Sequence, residues 1–220
     1  MKVNYFYLLT ACVVLSLCST AQTTVCLIKG DSVLAGSTDK SRIRSVQAFN
    51  FVYNGPQDTS VTAMINKAAA GTGDLETFSH SSMLAVKSIL VDYFSDILQK
   101  DPAFFDQQVV GNQGGRTVGA ICFFGLEHNK PVLLNAVFYV NKGVRHPVVV
   151  SYSLNQQDIA VLSDGHHSRH MGIVGHLTDG GGVIEIKKMI GIDTDGPVDG
   201  SGPPIDVLVV TKNGRIWERH

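Results

Sequence analysis

A long amphipathic run, Ser79 to Lys100, stands between two blocks of short apolar segments, and this order restricts the fold more than any other feature. Met83, Val86, Leu90, Tyr93, Phe94 and Ile97 fall on one helical face, while Lys87, Asp92, Asp96 and Lys100 fall elsewhere. Asp101-Pro102 marks its end. The alanine-rich stretch Val61 to Ala70, followed by Gly71 as a C-cap, predicts a second helix just before it.

Strands surround these helices. Val25 to Lys29, a turn at Gly30-Asp31, and Val33 to Gly36 read as strand, turn, strand. Arg44 to Tyr53 alternates in polarity and stops at Asn54-Gly55-Pro56, which predicts one third strand. Thr117 to Leu126 and Val132 to Val140 flank the polar turn Glu127 to Lys130, with further strands expected at Val148 to Tyr152 and Ile159 to Leu162. Ile184 to Ile190 reads as a helix. The chain then closes with Ile205 to Thr211, a turn at Asn213-Gly214, and Arg215 to Trp217. Strands, helices, strands, helix, strands is the order of a layered α+β domain rather than a doubly wound parallel one.

Met1 to Leu17 reads as a targeting segment: Lys2 supplies the positive end, Phe6 to Leu17 the apolar stretch, and Ser19-Thr20-Ala21 the small residues that signal peptidase reads. The apolar stretch falls short of the ~20 residues that span a bilayer, so cleavage after Ala21 and export to the periplasm or beyond are expected. A lipoprotein reading through Cys18 is disfavoured by Leu17, which stands where a small residue is wanted. Residues 22–220 then form one domain, with no internal repeat or low-complexity linker. With 18 basic and 19 acidic residues and no basic stripe, nucleic acid is not the expected partner. Cys26 and Cys122 remain after the leader, each inside an apolar run. They read as buried free thiols, and an exported compartment permits a disulfide if their strands are neighbours.

Thr23-Thr24-Val25, Leu27, a tight turn and Val33-Leu34-Ala35-Gly36-Ser37-Thr38-Asp39-Lys40 resemble the start of proteasome β-type subunits, which are N-terminal nucleophile hydrolases with exported bacterial members of similar size. The family's catalytic threonine is followed sixteen positions later by an aspartate, and that count from Thr23 lands on Asp39. Near the other end, Ser201-Gly202 leads into a strand and a final turn glycine, Gly214, with the family's spacing; Asp199 sits two residues before that serine rather than three. The resemblance implies a four-layer αββα sandwich, two antiparallel sheets with helices outside.

It also implies a chemistry. A freed Thr23 would attack an amide carbonyl through Oγ while its own α-amine, of pKa about 7.7 to 8.0, took the proton. Asp39 would orient and balance charge beside it, Ser201 would support the amine, and backbone N–H groups near Asn54 and Gly55 would hold the oxyanion. The substrate class is a peptide or small amide, with no cofactor and no metal, and assembly into a homo-oligomer is left open. Two departures stand out. The family's lysine at the start of the third strand is missing, with Arg42 or Arg44 supplying charge but not a deprotonating group. The expected cut also leaves Gln22, which tends to cyclise, ahead of Thr23. A second register, with a shortened hairpin, lays Ser37 rather than Asp39 on the family's aspartate and describes a degenerate site. The rival function is accordingly a non-catalytic binding or assembly module of the same fold; an unrelated exported α+β domain is the third reading.

Other constellations read more plainly. His166, His167 and His170 with Asp164 have metal-ligand spacing on a helix, yet Gly165 and Gly172 bracket them and favour an exposed loop. Asp193-Thr194-Asp195-Gly196 resembles part of a calcium loop, but Pro197 and the missing terminal glutamate break it. Gly180-Gly181-Gly182 lacks the lysine of a phosphate loop. Cys26 as a nucleophile would need cleavage inside an apolar strand.

Overall fold

β1 (Thr23–Lys29) and β2 (Ser32–Ser37) pair antiparallel around a two-residue turn, where Gly30 adopts a φ of 61° that L side chains rarely take. The computed structural model describes residues 23–46, 48–56, 58–70, 73–111, 115–143, 147–163, 182–193 and 204–220.

The single strand expected over Arg44 to Tyr53 is two strands. β3 (Ile43–Val46) and β4 (Phe49–Asn54) fold back on each other, with Val46 opposite Phe49 and Ile43 opposite Val52. The physical reason lies in burial. Phe49, Phe51 and Tyr53 face a helix-side cluster, while Asn50 and Val52 between them are buried as well, so β4 is a covered strand that needs a neighbour on each edge.

The remaining elements follow the expected order, most of them with longer bounds. α1 spans Asp58–Ala69 and α2 spans Leu75–Lys100. Asp74 caps α2 through Thr77 N at 2.7 Å, which starts the helix four residues before the apolar pattern declares itself. After Asp101, a short helical stretch Pro102–Phe104 runs into a π-helical turn Phe105–Val110 that buries Phe105, Val109 and Val110. β5 (Gly115–Glu127) and β6 (Lys130–Asn141) form a long hairpin whose turn residues His128 and Asn129 both have positive φ. β7 (Val149–Gln156), β8 (Ile159–Ser163), α3 (Gly182–Asp193), β9 (Asp206–Thr211) and β10 (Gly214–Arg219) complete the set.

The strands make two five-stranded antiparallel sheets, ordered β10-β9-β2-β1-β8 and β3-β4-β5-β6-β7. Three apolar clusters show how the layers stack. Val25, Leu27 and Val207 of the first sheet meet Ile186, Met189 and Ile190 of α3. Cys26, Ala35 and Leu208 from the same strands meet Val52, Phe124 and Leu133 of the second sheet. The far side of the second sheet packs Phe51, Phe123 and Phe138 on Phe78, Met83 and Leu90 of α2. The fold is therefore mixed α+β, with two antiparallel sheets face to face and helices outside. Among the described residues, no helix is long and apolar enough to cross a membrane.

Candidate functional site

Thr23 opens β1, next to the centre of the first sheet, and is fully buried. β1 is held on both edges, with Thr24 opposite Ser37 of β2 and Thr23 opposite Ser163 of β8. Period-two alternation separates the two threonines. Thr23 shares a face with Val25 toward α3, whereas Thr24 shares one with Cys26 toward the second sheet.

The hydroxyl of Ser37 joins them. It accepts from Thr24 Oγ1 at 2.9 Å and from Asp39 N at 3.1 Å, and donates to the Thr23 carbonyl at 3.3 Å. A hydroxyl has one donor and two acceptor positions, so all three are used. This connection pins the main chain of Thr23 to the end of β2.

Asp39 itself turns elsewhere. Its carboxylate accepts from Ser41 N at 2.9 Å and caps the 3-10 turn Lys40–Arg42. Side-chain and backbone hydrogen bonds from Ser41, helped by the charges of Arg42 and Arg44, hold the carboxyl below the usual carboxylate range against partial desolvation. Asp39 is thus tied to the threonine pair through its backbone N–H and Ser37, and its carboxylate organises the link between the sheets.

That link gathers the other candidates. Residues 38–42 lead straight from β2 into β3, so the head of β1 and the head of β3 lie at one end of the molecule. Arg42 stands immediately before β3. Its backbone N bonds Asp39 O at 3.0 Å and its Nη1 reaches Tyr53 O at 3.5 Å. Arg44 sits inside β3 opposite Phe51. Asn54 closes β4, and Gly55 follows it. A side chain at Gly119 would crowd Asn54 O at 2.9 Å, so this glycine lets β5 pass close beside that turn.

Asp199 and Ser201 lie outside the described residues, as do His166, His167 and His170 and the Asp195 to Asp199 stretch. The described strands nearest to them in the chain are β8 and β9. β8 ends at Ser163 opposite Thr23, and β9 begins at Asp206 opposite Ser37. Asp206 precedes Leu208 on the face toward the second sheet, so Asp206, Ser37 and Thr24 occupy one cross-strand row. The sequence assigned no role to Asp206 or to Thr24, the second of the threonine pair. Their signal is the two-residue alternation of strands that pair in this register, which is invisible until β9 is known to lie beside β2.

Among the described residues no group of three or more His, Cys, Asp or Glu side chains could hold a metal. Two surface grooves, of about 390 and 270 Å³, lie on the side of α1 and α2 and are lined by Tyr93 in common rather than by Thr23. No protein-family model matches the chain, and no curated protein matches it.

Proposed function

We propose that this chain is an exported N-terminal nucleophile hydrolase of proteasome-like type, which cuts an amide bond in a peptide or small amide with Thr23. The observation that supports this most is the convergence at one end of both sheets: the head of β1, the Ser37 hydroxyl on the Thr23 carbonyl, and Arg42 ahead of β3. Cleavage between Gln22 and Thr23 frees the amine. Thr23 Oγ then attacks the carbonyl carbon, and the α-amine takes its proton and delivers it to the departing amine. Water hydrolyses the resulting ester by the reverse transfers. Arg42 supplies fixed positive charge where the family uses lysine, so the amine alone carries the proton. By the resemblance, backbone N–H groups near Asn54 and Gly55 hold the oxyanion and Ser201 with Asp199 supports the amine, while Asp39 fixes the turn that carries Arg42. The cut must also free the head of β1 to turn Thr23 Oγ from the α3 side toward the second sheet.

The test is a chain that begins at Thr23, assayed on a panel of peptide amides and with an electrophilic peptide that esterifies a reactive hydroxyl. Thr23→Ala is expected to drop hydrolysis to background and to abolish labelling. Undiminished hydrolysis by Thr23→Ala would sink the proposal.

A second reading is favoured by Asp39, whose carboxylate bonds Ser41 while a serine holds the position beside the threonines. On that reading the chain is a non-catalytic member of the same fold that binds or assembles. Neither the wild-type protein nor Thr23→Ala would then take the label.

A further inference from the structure

Cys26 of β1 and Cys122 of β5 belong to different sheets and to the same buried cluster. Both are fully excluded from solvent, and both are free thiols. The register explains how they meet. Cys26 is flanked on its own sheet by Ala35 on one side and Ala160 on the other, so no bulky neighbour holds the facing sheet away at that point. Cys122 stands across the gap between Val52 and Asn135. Burial pushes the Cys122 thiol well above the usual range, and its hydrogen bond with Cys26 adds to the shift.

We propose that Cys26 and Cys122 form a disulfide that ties the two sheets together when the chain folds in an oxidising compartment. The inference is independent of whether Thr23 is a nucleophile. Once the sheets have closed, both thiols are out of reach of an oxidant, and a cysteine buried in apolar surroundings is inert. The bond therefore forms before closure is complete, by exchange with a small or protein disulfide. One cysteine thiolate attacks the oxidant and releases its first thiol. The other then attacks the mixed disulfide and releases the second. Two electrons and two protons leave the cysteines and end on the oxidant as two thiols.

The experiment is to denature and reduce the full chain, refold it in a mixture of reduced and oxidised glutathione, alkylate it in denaturant without reductant, and map its peptides. The expected result is a peptide pair joining Cys26 to Cys122 that separates on reduction. Reductant should also lower the midpoint of thermal unfolding of the wild type and leave that of Cys122→Ala unmoved. Recovery of Cys26 and Cys122 both alkylated would overturn the proposal, whether or not Cys12 and Cys18 had joined each other. The mapping needs no variant, so it decides the question even if Cys122→Ala fails to fold.

Discussion

Ser37 carries three hydrogen bonds on one buried oxygen: two go to the head of β1, at Thr24 and Thr23, and one to the link that leads to the second sheet. Removing that oxygen strands the Thr24 hydroxyl and the Asp39 N–H together. Ser37→Ala should therefore cost about 1–3 kcal/mol, read from urea unfolding, which is more than an exposed serine would cost. A loss within a few tenths of a kcal/mol would show that the three bonds do not hold this corner. Asp39 supports a second expectation. Its folded carboxyl titrates below the unfolded value of about 3.9, so the stability it lends is fully present above that pH. That stability is lost as the pH falls through the folded value. Asp39→Asn should narrow its gap from the wild type in unfolding midpoint below about pH 4, and a gap that widens with acid would contradict the assignment.

Gly36 makes the matching point for β2 and α3. A Cβ there would overlap the Ile186 side chain, so strand and helix approach more closely than any other residue allows. Gly36→Ala is expected to cost about 1–3 kcal/mol by overpacking. Combined with Ile186→Ala, the loss should be smaller than the two single losses added together; strict additivity would show that these side chains do not meet. Element by element, the sequence announced most of what formed. The Met83, Val86, Leu90 and Phe94 stripe marks a buried helix face because a helix packed on one side repeats at its own period. The Gly30-Asp31 hairpin was equally legible. The β3–β4 hairpin was not, because Asn50 and Val52 are buried along with Phe49 and Phe51, and a strand covered on both faces loses the contrast that periodicity reads. The π-helical turn after Pro102 carried no recognisable signal either. For the site, the chain pattern pointed to Thr23 and Asp39, whose main chains are joined through the Ser37 hydroxyl. It did not say that the carboxylate would serve Ser41, since a side chain's partner depends on turn geometry and not on spacing.

On the scale of the whole molecule, two antiparallel sheets share one apolar interior, and β2 hands the chain to β3 at the end where β1 begins. β8 and β9 deliver their own ends to the same place, opposite Thr23 and Ser37. The proposed hydrolase is built around a freed threonine at that corner. It turns on a single covalent event, the cut ahead of Thr23, because no rearrangement of side chains gives an acylated nitrogen the basicity of an amine. The most direct measurement is the N-terminal sequence and intact mass of the protein recovered from the cells that produce it and from their medium. The account predicts a chain that begins at Thr23 with a free amine. A chain that begins at Gln22, whether open or cyclised, would contradict it.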